Sequence, residues 1–167
     1  MARLIIGVLG GVLLSFISVS IFQAWVPIET AQLIIETNGN FFQATSEMVG
    51  ANFKFDIIGF FLSWPNYSIQ TFFSPAFFGC ALIGFIAGIL SIGVKRGIMA
   101  SVLVIIITFL MWILFSIFSG EDLMSLFQGI QLRATIGGVL GALLSGISGG
   151  IIGGFLTGKY PNIKRPE

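Results

Sequence analysis

The sequence predicts an all-α integral membrane protein: a four-transmembrane-helix bundle with an amphipathic outer helix and a short interfacial helix between the first and second spans. Three observations carry this. Hydrophobic residues fill 56% of the 167 positions, and 22 glycines raise the apolar share to roughly two thirds, against about 45–50% in soluble domains. Charged residues are 9%, where about 25% is usual, and mean hydropathy is +1.02. Finally, four stretches reach the roughly 17–25 apolar residues that a helix needs to cross hydrocarbon. A water-soluble globule of this size has too little interior to hide so much apolar surface. The whole chain, 1–167, reads as one membrane domain.

The first span is 4–26, preceded by Arg3 and stopped by Pro27. It is longer than a signal-peptide core, and Phe22 stands where cleavage after Ala24 would need a small residue. It therefore reads as a retained helix.

The outer segment, 27–75, follows. Apolar residues at Ala31, Ile34, Ile35, Phe41, Phe42, Met48 and Val49 recur at helical spacing, with Glu29, Gln32, Glu36, Gln43 and Glu47 on the other side. This predicts an amphipathic helix over 28–50, with a break signalled at Asn38-Gly39. Its acidic polar face does not suit anionic lipid, which basic residues attract. The residues Ile34, Ile35, Phe41, Phe42 and Met48 form a candidate docking face for another protein; lying across its own bundle is the plainer role. Phe55–Trp64 is too short to span and reads as the interfacial helix. Asn66-Tyr67-Ser68 matches the N-glycosylation acceptor, so Asn66 is a candidate for modification on the outer side.

The second span, 76–94, has Ser74 as N-cap and Pro75 at its first turn, and ends at Lys95-Arg96-Gly97. The third, 98–118, ends at Ser119-Gly120; the fourth, 134–156, is followed by Gly158 and Pro161. Arg3, Lys95, Arg96, Lys159, Lys164 and Arg165 fall on one side of this layout, and Lys54 and Arg133 on the other. The positive-inside rule then puts both termini in the cytoplasm and 27–75 outside.

The fourth span carries two rows of small residues at four-residue spacing: Gly138, Ala142, Gly146, Gly150, Gly154 and Gly137, Gly141, Ser145, Gly149, Gly153. Such rows let backbones approach closely in lipid. Four residues turn a helix by 400°, so each row drifts about 40° per step. No single straight neighbour follows it, and this helix is expected to be central. Shorter rows lie in the second span (Cys80, Gly84, Gly88) and the first (Gly7, Gly11). Ile-Gly-x-x-x-Gly-x-Leu recurs at 6–13, 83–90 and 136–143; shared composition accounts for it better than duplication does.

Function is bounded mainly by what is missing. There is no histidine and one cysteine, Cys80, so no cofactor or metal site is expected within this chain alone. A net charge of +1 gives no reason to expect nucleic acid. The spans hold no ionisable residue, which argues against a proton-coupled transporter. Asp56, Glu121 and Asp122 are outer acids able to pair for acid–base chemistry, but no catalytic set is visible. Four passes, a long first outer loop and a short second one resemble the claudin-like layout. Claudins carry a Trp motif and a Cys pair in that loop; this one has Trp64 and no Cys.

The expectation is a non-catalytic accessory or structural subunit of a larger integral membrane complex. Any active site would lie in other chains. Its partners would be other membrane subunits, reached through the 28–50 face and the glycine rows, and membrane lipids. The alternative is a homo-oligomeric pore or facilitator for a neutral solute.

Overall fold

A computed structural model describes residues 2–63, 65, 72–122, 124 and 128–158. Every regular element among them is helical. In chain order these are α1 Ala2–Ser15, α2 Ser18–Phe22, α3 Val26–Asn38, α4 Phe41–Gly50, a 3-10 turn Ala51–Phe53, α5 Ile57–Leu62, α6 Pro75–Ser91, α7 Val94–Ser119 and α8 Gly129–Thr157. Two of them, α7 and α8, are long and apolar enough to cross a membrane; α1 and α6 are shorter apolar helices.

The stretch 4–26 is not one continuous helix. α1 stops at Ser15, whose hydroxyl donates to the Val12 carbonyl at 2.7 Å. The chain tightens at Phe16-Ile17, where the Ile17 N–H reaches back to Leu14. After α2 a turn places Ala24 and Trp25 at φ 47° and 67°, a left-handed conformation that side chains resist. Pro27 then sits in the first turn of α3, where its missing N–H costs nothing. The Ser15 hydroxyl thus bonds the ladder at the point where α1 ends, and the Ser18 hydroxyl bonds Asn52 instead.

The amphipathic stretch 28–50 does break at its expected point. Gly39 ends α3 in the left-handed conformation at φ 63°, and Asn40 caps α4 by accepting from the Gln43 N–H at 3.1 Å. The short helix in 55–64 is α5, capped by Asp56, whose carboxylate accepts from the Gly59 N–H at 2.8 Å. α6 starts as expected on Ser74 and Pro75.

The α6–α7 reversal is tighter than the sequence indicated. Ile92 and Gly93 make it with positive φ, and Lys95, Arg96 and Gly97 belong to α7. Gly97 is there for close packing: a Cβ on it would lie against the Gly150 carbonyl and 3.2 Å from the Gly88 Cα. α8 likewise starts earlier, at Gly129, and includes Arg133.

α8 is central, in contact with α6, α7, α5 and the 3-10 turn. α1 packs on α6 and α7. The segment 40–62 is not laid over the outside. It forms a hairpin wedged against α7 and α8. Going down, Asn40 Nδ2 donates to the Ser119 carbonyl (3.0 Å), Ser46 and Ser116 share a hydroxyl hydrogen bond (2.7 Å), and Phe53 packs on Phe109 and Trp112 at 5.5 and 5.6 Å between centroids. The stretch of α7 from Ser119 to Phe109 is about 15 Å long, so the hairpin reaches well into the bundle. It returns along α8, with Phe55 beside Gly141 and Ile58 beside Gly137.

The interior is built from small and hydroxylated residues. Ser15, Ser18, Ala87, Ser91, Ala100, Ser101, Ala142 and Ser145 are all buried. Ile5, Leu9, Leu13, Met99, Leu103, Ile106, Leu110, Leu140, Leu144, Ile152 and Phe155 are exposed. A soluble core has the opposite arrangement.

Candidate functional site

The glycine rows are filled from within the chain. A Cβ on Gly138 would strike the Phe53 carbonyl, one on Gly141 the Phe55 carbonyl, and one on Gly137 the Asp56 carboxylate. Gly149 and Gly153 face the Ala81 and Phe85 backbone of α6. Gly150 faces Ser101 and Gly97 of α7, and a Cβ on Gly154 would lie 2.9 Å from the Gly93 and Val94 backbone. Gly84 and Gly88 meet the α8 backbone at Gly146 and Gly150. Gly7 meets Ser91 and Ala87, and Gly11 meets Val104 and Ala87. Ala142 joins Phe53, Cys80 and Ile105 in one buried cluster. Within this chain, residues 53–58 together with α6, α7 and α8 lie against these rows.

At the bottom of the hairpin sits Asn52, fully buried. Its Nδ2 donates to the Ser15 carbonyl at 2.8 Å and the Val49 carbonyl at 2.9 Å; its Oδ1 accepts from the Ser18 hydroxyl at 3.0 Å. The Cys80 thiol donates to the Asn52 carbonyl at 3.3 Å. One side chain thus satisfies the carbonyl left open where α1 ends, ties α2 to it, and caps α4. This is where a broken helix needs help, since orphaned backbone groups far from water are costly. Sequence reasoning passed over Asn52. Its only local signal is a lone amide between Ala51 and Phe53, and its partners lie 34 and 37 residues away.

Above Asn52 opens a cavity of about 310 Å³, lined by Glu47, Gly50, Phe53, Lys54, Asp56, Trp112, Gln131, Ala134 and Thr135. Its aromatic floor is the stacked pair Phe53 and Trp112. Glu47 is engaged by Lys54 in an ion pair, and Asp56 caps α5. Both carboxylates thus have structural partners within the chain. The floor is closed beneath: Phe53 is 6% exposed, and Cys80, Ile105 and Ala142 are at most 1%.

The other candidates are dispersed. Asp122 accepts from the Met124 N–H in a local turn at 3.0 Å, and Glu121 is exposed. Among the described residues no three of Asp, Glu, Cys and His come together. The candidate docking face is divided. Ile34 and Met48 are half-buried, whereas Ile35, Phe41 and Phe42 are exposed, with Phe42 against Phe118 at 5.3 Å. Asn66, Trp64 and Tyr67 lie outside the described residues. Of the hydroxyls in the helices, Ser101, Ser145 and Ser148 bond their own backbone, while Ser20, Ser91 and Thr108 are buried without a partner.

Comparison with protein families, with curated proteins and with solved structures returns no match.

Proposed function

We propose that the chain is a four-pass membrane protein with both termini cytoplasmic, serving as a non-catalytic accessory subunit of a larger membrane complex. The four passes are α1 with α2, α6, α7 and α8. In this reading the hairpin 40–62 re-enters the bilayer from the outer side. Irregular backbone at membrane depth is tolerated only when protein covers it and its polar groups are satisfied. Asn52 and the α7–α8 seam meet that requirement. The inverted distribution, with small residues inside and Ile, Leu and Phe outside, supports the same placement.

The observation that carries the subunit role is α3. It packs chiefly on α4 and stands at the edge of the body. Leu33 is 59% exposed, Phe41 64%, and Ile35 and Phe42 above 40%. Glu29, Gln32 and Glu36 on the same helix are exposed too. A partner presenting an apolar groove edged by basic residues would suit this arm. The test is co-purification of the full chain from its native membrane in mild detergent. Wild type is expected to bring larger chains with it. The Ile35→Ser, Phe41→Ser double variant is expected to lose them while its own melting temperature moves little, because neither side chain is buried. Wild type recovered as a bare monomer would overturn the reading.

A second reading, a facilitator for a neutral solute, is favoured by the outer cavity. The closed floor beneath it speaks against a path through one copy, so this reading needs an axis shared between copies. A pure ring of 18.0 kDa chains would support it.

A further inference from the structure

The end of the bundle opposite the hairpin has its own feature. Arg3 of α1 and Arg96 of α7, ninety-three positions apart in sequence, line one cavity of about 490 Å³ together with Ile92 and Gly93 of the α6–α7 turn. Both arginines are exposed. Among the described residues neither guanidinium has a carboxylate partner, because the single ion pair there is Lys54 with Glu47 at the other end. None of the acids among the described residues, Glu29, Glu36, Glu47, Asp56, Glu121 and Asp122, lines this cavity. Gly93 gives α7 no side-chain cap, so the first N–H groups of that helix add partial positive charge beside the cavity. Ile5 and Ile6, just past Arg3, and Met99, just past Arg96, are exposed apolar residues that continue the surface away from the cavity.

We propose that Arg3 and Arg96 form a binding site for the phosphodiester headgroup of an anionic lipid, whose acyl chains run along the apolar surface beyond them. The inference rests on the four-pass reading, which puts this cavity at the cytoplasmic rim. Guanidinium forks match phosphate oxygens in geometry as well as charge. Basic pockets between helices on that side attract anionic headgroups. A free phosphate shares the chemistry, but Ile92, Ile5, Ile6 and Met99 give it nothing to bind, whereas a lipid uses both parts of the surface.

The experiment reconstitutes the full chain into nanodiscs of equal phosphatidylglycerol and phosphatidylcholine, then counts by native mass spectrometry the lipid retained on release. Wild type is expected to retain phosphatidylglycerol preferentially. Arg3→Gln and Arg96→Gln should each lower that retention by roughly tenfold or more, as loss of one charge-assisted phosphate contact per arginine implies. Lys95→Gln removes the same charge from the same turn, but Lys95 does not line the cavity; it should cost only the diffuse surface attraction, at most about fivefold and less than either arginine variant. Equal losses from Lys95→Gln and Arg96→Gln would overturn the site in favour of diffuse attraction. Displacement of the lipid by an equal concentration of inorganic phosphate would overturn the lipid assignment. A chain that does not enter the nanodisc overturns the membrane reading and the proposal with it. One that enters without headgroup preference overturns the proposal alone.

Discussion

Gly84→Ala is expected to destabilise the protein by about 2–3 kcal/mol, whereas Gly146→Ala, across the same seam, is expected to be nearly neutral. The two glycines face each other between α6 and α8, but their missing Cβ atoms point at different things. A Cβ on Gly84 would press on the Gly146 carbonyl and lie 2.7 Å from its carbon and 3.0 Å from its Cα. Those are backbone atoms in the middle of a helix and have no rotamer to yield with, so the helices must separate. A Cβ on Gly146 meets the Ile105 side chain at 3.2 and 3.5 Å and the Cys80 carbonyl at an ordinary 3.7 Å, and the side chain can shift by a few tenths of an ångström. At Gly146 the gain in helix propensity, about 1 kcal/mol, offsets that adjustment. Reversible unfolding in mixed micelles, followed by tryptophan fluorescence, measures both. Equal effects of the two substitutions would mean the α6–α8 seam is not in this register.

The second large effect is expected at Asn52. Asn52→Ala removes two donated hydrogen bonds, one accepted from the Ser18 hydroxyl and a long one accepted from the Cys80 thiol at 3.9 Å, and takes the amide from between the Ser15 carbonyl and the Ser18 hydroxyl. Polar contacts between helices in lipid average about 0.6 kcal/mol and reach about 1.7. Three of them with an orphaned carbonyl amount to about 2–3 kcal/mol. Asn52→Asp should cost more than Asn52→Ala, because it turns a carboxylate oxygen on two carbonyl oxygens in a buried place. Ser18→Ala should cost about 0.6 kcal/mol, since it removes one bond and Asn52 keeps the other two. The same micelle unfolding reads all three variants. A loss below about 0.5 kcal/mol for Asn52→Ala would mean that the break in the first helix is held by something else.

The sequence was most informative where a pattern is local. Gly137 to Gly154 at four-residue spacing marked α8 as a helix with close neighbours on several sides, because a small residue announces a close approach whatever fills it. What fills it is not local. Phe53 and Phe55 lie more than eighty positions from Gly138 and Gly141, and nothing in either segment names the other. The same limit applies to the segment 40–62. The period across 28–50 puts Ala31 and Val49 on the apolar face, and both are buried. It puts Ile35, Phe41 and Phe42 there too, which are exposed, and it does not mark the buried Ala44 and Ser46; period also carries no information on depth. An amphipathic helix lying on a bundle and one wedged into it have the same repeat. The difference lies in Asn40, Ser46 and Asn52, short polar side chains whose partners Ser119, Ser116 and Ser15 are themselves unremarkable residues. Composition along 4–26 is uniformly apolar and so predicts a continuous first helix; at its break the Ser15 hydroxyl and the distant Asn52 amide bond the backbone. At the α6–α7 turn the sequence marks Gly97 as punctuation, but Gly97 is a contact, and Ile92-Gly93 makes the reversal.

The proposed four-pass arrangement puts the two ends of the bundle on opposite sides of a bilayer. Side-specific thiol labelling of two single additions, Gln32→Cys in α3 and Lys95→Cys at the start of α7, reads that directly. Both positions are exposed, and the native Cys80 is fully buried and contributes no background. Gly97, equally close to that turn, is unsuitable because any side chain there meets α8. In sealed right-side-out vesicles, an impermeant maleimide is expected to label Gln32→Cys and to spare Lys95→Cys until the membrane is opened. Labelling of both from the same side would contradict the four-pass arrangement.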